Sequence, residues 1–266
     1  VNKNDKYFKK EFGQNFLTDI ETAIEFVEHA GIKGEDTVIE IGPGEGVITQ
    51  FLLQEAKKVI CVEIDVRFVN ELRHKFKSYI KTGKLEVIHS DVLELSAASL
   101  QLPAYKIVGS LPYNISKQII KKFLEAENPP ESMTFIIQKE VAEDYAAKPS
   151  KATFLSNYAS LFSDVKYLQK VRKEFFKPQP KVEGGIIKFT MTNDQISETE
   201  REALVKFLKS AFLNPRKKLL KNLNSIYRID KENLKSIFQK VGVGENARAS
   251  ELKLDQWKKL HSYIVA

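Results

Sequence analysis

The stretch Val38–Gly46, VIEIGPGEG, constrains this chain more than any other. Val38, Ile39 and Ile41 form a short apolar run suited to a buried central strand, and Gly42, Gly44 and Gly46 follow at once. Glycines in such a turn remove the Cβ atoms that would hold a ligand away from the backbone. Apolar side chains then recur at helical spacing from Val47 to Leu53. Strand, glycine turn and helix in that order make the first crossover of a doubly wound sheet, whose ligand lies at the carboxyl end of the strand. The next strand, KVICVE at 58–63, closes on Glu63, 21 positions after Gly42, where a carboxylate can accept both hydroxyls of a ribose.

A glycine turn and a ribose-binding acid serve nicotinamide and S-adenosylmethionine enzymes alike. The third glycine of a dinucleotide fingerprint would fall at Val47 and is absent, which tilts away from a pyrophosphate ligand. The remaining motifs have to decide.

Two further acceptor-bearing loops follow. The strand Leu85–His89 leads to Ser90 and Asp91, where a carboxylate can accept from an amino group; the alternative for a lone loop Asp is a turn cap. Lys106–Val108 is a fourth short strand, followed by Gly109, Ser110, Leu111, Pro112, Tyr113 and Asn114. A rigid, acceptor-rich loop beside a stacking ring suits a flat heteroaromatic amine. Ser116 is placed to cap the helix over 117–125.

Elsewhere the pattern continues as α/β. Asp19 caps a helix over 20–30, a helix spans 66–79, and MTFIIQ at 133–138 is a fifth strand. Tyr167–Val171 and Gly185–Thr190 pair as an antiparallel hairpin whose long connection is stiffened by Pro178 and Pro180 and carries Phe176. The segment Phe8–Leu17, FKKEFGQNFL, reads equally as a lid over a ligand or a surface arm. Beyond Thr190 the strands stop, so the expected domains are 1–190 and an all-helical 191–266.

Charge separates these domains. The net charge is +7, and residues 191–266 hold 15 Lys or Arg against 9 Asp or Glu, six of those seven charges. A basic module beside a nearly neutral body points to a polyanionic partner, nucleic acid first, with Arg216, Lys217, Lys218 and Lys221 gathered near one helix start. The single cysteine, Cys61, lies in an apolar strand and reads as core, while His29, His74, His89 and His261 show no metal-ligand spacing, so no metal is expected. No apolar run is long enough for a membrane span and the first residues lack a signal-peptide core, which makes a cytoplasmic location the default expectation; separately, a monomer is expected.

Together these motifs resemble the ribosomal RNA adenine dimethyltransferases, over nearly the whole chain. FGQNFL, EIGPGEG, the acid of VEID, the Asp of HSD, LPYNIS and FKPQPKV stand in that family's order. The resemblance implies a Rossmann-like S-adenosylmethionine-dependent methyltransferase sheet, mostly parallel with a C-terminal antiparallel hairpin, plus a small all-α domain. It assigns cofactor contacts to Asn15, Leu17, Gly42, Gly44, Glu63, Asp91 and Ser110, and stacking on the target base to Tyr113 and Phe176. AFLNPRKKLLKNL and ARASELKLDQW look like the housekeeping branch, which dimethylates N6 of two adjacent adenines near the 3′ end of small-subunit rRNA during ribosome biogenesis. The related branch confers macrolide resistance by methylating large-subunit rRNA.

One position departs from the family pattern. Where the family loop begins with Asn, this chain has Ser110, shorter by one heavy atom. Loops of the SPPY kind in cytosine N4 methyltransferases make serine chemically compatible. The implied chemistry has Ser110 Oγ and the Leu111 carbonyl accept the two N6 hydrogens, so that the nitrogen lone pair is localised. A slow or inactive ribosome-assembly factor is the alternative from the binding class.

Overall fold

The computed structural model describes residues 15–95, 102–192 and 196–265. The chain divides into two compact units, one holding residues up to Ala142 with Lys166–Met191, the other Glu143–Val165 with Thr192–Ala266. Residues 8–14 of the FKKEFGQNFL segment lie outside the described residues.

In the first unit, a two-residue strand β1 (Phe16–Leu17) precedes α1 (Ile20–Ala30). Then come β2 (Thr37–Ile41), α2 (Thr49–Glu55), β3 (Lys58–Glu63), α3 (Val66–Lys75), α4 (Lys77–Lys81) and β4 (Leu85–His89). After the break follow β5 (Lys106–Ser110), α5 (Ser116–Leu124), β6 (Ser132–Gln138) and α6 (Lys139–Ala146), which runs across the division of units. Past α7 (Phe154–Ala159) come β7 (Ser163–Val171), β8 (Phe176–Lys177) and β9 (Gly184–Met191).

Seven of these strands form one sheet in the order β4-β3-β2-β5-β6-β9-β7. β4, β3, β2, β5 and β6 are parallel neighbours, and β9 returns antiparallel on β6. This is the expected mostly parallel sheet with an antiparallel end. Because the chain builds outward from β2 to β4 and then returns to the other side of β2, the order reverses between β2 and β5, and the carboxyl ends of the strands open a crevice there.

Local chemistry explains the elements. Asp19 accepts the Thr22 amide at 2.9 Å and caps α1, while Gly31, at φ 64, closes it. The core under the crevice joins Phe26 of α1, Val38 of β2, Leu52 of α2, Cys61 of β3 and Leu72 of α3. Cys61 is buried there, the packing role expected for it.

Three expectations change. The helix over 66–79 is broken at Phe76, whose backbone leaves the helix (φ −108, ψ 27) while its ring presses on Gly46; a Cβ on that glycine would stand 2.7 Å from the ring. Ser116 does not cap α5: Ile115 holds the cap position, and the Ser116 hydroxyl donates to the Tyr113 carbonyl at 3.4 Å. Residues 143–165 cluster with the helical unit instead of the first domain.

That second unit explains the transfer itself. It contains α7, α8 (Glu198–Ala211), α9 (Leu219–Tyr227), α10 (Lys231–Val241) and α11 (Leu254–Ile264). Phe154 stacks on Tyr158 of α7 and meets Phe212 edge-on, Phe212 packs on Trp257, and the Arg201 guanidinium covers Phe162. Aromatic burial of this kind is the strongest packing term available to a small helical unit, and residues 154–162 supply part of it. Ser197 caps α8 by accepting from the Glu200 amide.

Candidate functional site

At the carboxyl ends of β2, β3, β4 and β5 lies a cavity of about 320 Å³. Its lining unites motifs that are far apart in sequence: Asn15 and Leu17, Gly42, Glu63, Asp91 and Ser110. Six of the seven residues assigned to the cofactor therefore share one cavity; Gly44 does not line it but donates its amide to Glu63, which does.

The glycine turn is built as its sequence demands. Gly42, Gly44 and Gly46 have φ of 64, 53 and 76, all in the left-handed region. At Gly42 a Cβ would meet nothing within 4 Å, so the turn leaves open space where a ligand would approach. At Gly44 it would overlap the Phe16 ring, which lies across the turn and packs against Phe68, 4.8 Å between centroids. Phe16 therefore belongs to the cavity wall, a role the sequence did not reveal because its partners are a glycine and a residue 52 positions away.

Glu63 ends β3 and is buried. Its Oε2 accepts the Gly44 amide at 3.1 Å and its Oε1 the Asp65 amide at 2.9 Å, so the acid clamps the glycine turn. Burial raises its pKa, and these two amide bonds oppose that rise. Asp91 lines the cavity, and its Oδ1 accepts the Leu93 amide at 2.8 Å to close a turn.

Glu40 escaped the sequence reading because it sits inside an apolar strand. It is 1 % exposed, lines the cavity and accepts from Thr49 Oγ1 at 2.6 Å and Cys61 Sγ at 3.4 Å. Burial pushes its pKa up to about 7, against the pull of the Thr49 and Cys61 hydrogen bonds. A carboxyl inside VIEI, where every neighbour is apolar, was the available signal. Such a group would favour a cationic ligand.

Opposite the glycine turn stands the LPYN loop. Ser110, Pro112 and Asn114 line the cavity. The loop is fixed at its root, since the Leu111 amide donates to the Ile136 carbonyl at 3.0 Å and a Cβ on Gly109 would come 2.5 Å from the Ile41 carbonyl oxygen. β5 and β2 can approach this closely because residue 109 has no side chain.

The two aromatics assigned to the target base are placed differently. Phe176 is 3 % exposed, in one apolar cluster with Leu17, Val171 and Ile186, and does not line the cavity. Tyr113 is half-buried, and its hydroxyl is buried without a hydrogen-bond partner among the described residues. Burial, and then the charge of Glu183, push its pKa up to about 12. The two rings do not form an open stacking site as they stand.

The basic cluster lies in the second unit. Arg216, Lys217, Lys218 and Lys221 are all exposed, at and before the start of α9, with Lys218 at the cap position. Asn222 holds this loop by donating to the carbonyls of Ala211 and Asn214, at 3.3 and 2.9 Å. Among the described residues no group of three His, Cys, Asp or Glu is arranged to hold a metal, and no helix is long and apolar enough to cross a membrane.

Comparison with known proteins agrees with this geometry. The profile of the ribosomal RNA adenine dimethylase family matches residues 5–265. A ribosomal RNA small subunit methyltransferase A of Dehalococcoides mccartyi is 35% identical over 255 residues, 95% of this chain and 87% of that protein. Its namesake in Alkaliphilus metalliredigens is 34% identical over all of this chain and 95% of its own. Among solved structures, the 23S rRNA methyltransferase ErmE superposes with a TM-score of 0.78 at 26% identity, covering 95% of this chain and 100% of that one. A dimethyladenosine transferase from Plasmodium falciparum shares the fold, with a TM-score of 0.75 over 92% of this chain and 95% of its own at 24% identity. With a matching family profile over almost its full length and relatives above 30% identity, this chain belongs to the ribosomal RNA adenine dimethylase family.

Proposed function

We propose that this chain is the S-adenosylmethionine-dependent enzyme that dimethylates N6 of two adjacent adenines near the 3′ end of small-subunit rRNA, within a pre-ribosomal particle. The observation that carries the reading is the single cavity lined by Gly42, Glu63, Asp91 and Ser110, which sets the cofactor motifs and the LPYN loop face to face. The names of the relatives at 34–35% identity favour the small-subunit substrate over the 23S substrate of the more distant ErmE.

The residues fit the cofactor. Gly42 leaves room for close approach, Glu63 and Asp91 offer acceptors for ribose hydroxyls and an adenine amino group, and Glu40 offers a carboxyl toward positive charge. When bound, S-adenosylmethionine supplies an electrophilic methyl group on a sulfonium. Asn15 and Leu17 close the cavity from the side of β1.

Catalysis falls to the LPYN loop. An adenine N6 lone pair is delocalised into the ring, so the protein must localise it. Ser110 Oγ and the Leu111 carbonyl would each accept one N6 hydrogen, and the anchoring of Leu111 to Ile136 keeps these acceptors in place at no reorganisation cost. No general base is needed beforehand, because the methylated nitrogen is acidic and releases its proton to water. Tyr113 and Phe176 would hold the flipped base by stacking, at about 1–3 kcal/mol per base. Four exposed cations at the start of α9 sit at the positive end of that helix dipole, the unfavourable end for them, and are better explained by an RNA partner than by helix stability.

A methyl-transfer assay tests the reading. Unmethylated small-subunit particles should accept methyl groups, up to four per particle on two adenines, while large-subunit particles should accept none. Transfer to the large subunit alone would move the chain to the resistance-type activity.

A further inference from the structure

Backbone hydrogen bonds tie the cofactor cavity to the segment that carries Phe176. β1 pairs antiparallel with β8, Phe16 opposite Lys177 and Leu17 opposite Phe176. One residue on, Thr18 donates twice to the Phe175 carbonyl, from its amide at 2.8 Å and from Oγ1 at 3.0 Å. Asn15, Phe16 and Leu17 line the cavity, so this short ribbon has one strand on the cofactor side and the other on the target side. The target-side segment is pinned again at its root, where Glu183 accepts the Lys173 amide at 2.7 Å and pairs with Lys170 at 3.1 Å.

Phe176 is buried beside Leu17 and has to leave that packing to stack on a base. Because β8 is bonded to β1 and to Thr18, Phe176 cannot swing alone: either β1 moves with it or the Thr18 bonds break. A ligand that holds Asn15–Leu17 against the cavity fixes the strand on which β8 rides. The cost of ordering the ribbon is then met once and serves both ligands, which makes their binding mutually favourable even without direct contact.

We infer that Thr18 is a positioning residue, and that the β1–β8 ribbon couples cofactor occupancy to the seating of Phe176 on the target adenine. Each ligand then raises the affinity for the other. The inference rests on the assignment of the cavity and of Phe176 in the proposed function.

The test is equilibrium dialysis of labelled S-adenosylhomocysteine, which cannot turn over, against the full chain with and without saturating unmethylated small-subunit particles. Wild-type protein should bind it at least fivefold more tightly when the particles are present. Thr18→Val keeps the shape and loses the hydroxyl donor; it should shrink that ratio several-fold while changing affinity without particles less than twofold. Thr18→Ser, which keeps the donor, should restore the wild-type ratio. A wild-type ratio of one, or a ratio that Thr18→Val leaves intact, would overturn the coupling while leaving the cofactor site in place. Equal weakening of both affinities by Thr18→Val would show a merely structural residue and overturn it too. Absence of binding by wild type under either condition would remove the proposed function and the coupling together.

Discussion

The side of the cavity that we assign to the cofactor and the adjoining region that we assign to the target are built on opposite terms. On the cofactor side each polar group described above has a partner: Glu63 holds the Gly44 and Asp65 amides, Asp91 the Leu93 amide, and Glu40 the Thr49 hydroxyl. On the target side the Tyr113 hydroxyl is buried and unpaired among the described residues, and the Phe176 ring is packed away in the core. A satisfied, preformed wall suits a small ligand that returns at every turnover. A wall with an orphaned hydroxyl and a stored ring suits a large substrate that rearranges it on arrival.

The sharpest way to break this contrast is on the target side, at Ser110. If its Oγ accepts an N6 hydrogen in the transition state and serves the target in place of the cofactor contact implied by the family resemblance, Ser110→Ala should slow single-turnover methylation about 100- to 1,000-fold, with cofactor affinity nearly unchanged. A quenched-flow assay with labelled methyl donor reads both quantities. Rates equal to wild type would remove Ser110 from the chemistry.

Glu40 sharpens the contrast on the cofactor side through pH. Its carboxyl, pushed up to about 7 from an ordinary 4.5, keeps its proton in the folded protein at pH values where the unfolded chain has lost it. Folding therefore gains from this group below pH 4.5, and the gain is lost as pH rises toward 7. The span corresponds to about 3 kcal/mol. Glu40→Gln should lack this dependence, so urea denaturation at pH 5 and pH 8 should find the variant gaining on wild type at the higher pH. A constant difference between the two proteins would place the Glu40 titration elsewhere.

Glu63 comes next. Its removal in Glu63→Ala deletes a charged acceptor for the ribose and frees the Gly44 amide, at about 1.5–3 kcal/mol of cofactor affinity. Calorimetry with S-adenosylhomocysteine measures it, and unchanged affinity would contradict the assignment.

The smallest effect is expected in the second unit, where contacts are solvent-screened. Neutralising Arg216, Lys217, Lys218 and Lys221 together should weaken RNA binding about tenfold and flatten the dependence of log K on log salt, each lost phosphate contact removing roughly 0.7–0.9 from the slope. An unchanged slope would leave the cluster as plain solvated surface.

How much of this was legible in the sequence follows the same division. VIEIGPGEG, KVICVE and LEVIHSD are local patterns: a strand, its turn and the acid at its end lie within nine residues, so period, glycine spacing and a terminal carboxylate sufficed to place Gly42, Glu63 and Asp91 around one crevice. Glu40 was hidden because a lone carboxyl in a buried strand looks like an exception until Thr49 and Cys61 are seen to hold it. The β1–β8 pairing had no local signature, since two two-residue strands separated by about 160 positions carry no periodicity. The burial of Phe176 was equally invisible: a proline-stiffened loop reads as exposed, whereas the pairing of β8 with β1 turns that ring onto Leu17. The helical character of the second unit was legible in the end of the strand patterns beyond Thr190, but the transfer of residues 143–165 depended on Phe154 meeting Phe212 and Phe162 meeting Arg201 across a long sequence gap.

In the proposed function the cofactor side is ready before the RNA arrives. Titrating S-adenosylmethionine into the purified chain with no RNA present should reveal one site per chain, weakened in Glu63→Ala and intact in Ser110→Ala. A chain that takes up the ligand only when small-subunit particles are present, or that loses it on Ser110→Ala as completely as on Glu63→Ala, would contradict the division of the cavity into a preformed cofactor wall and a substrate-assembled target wall.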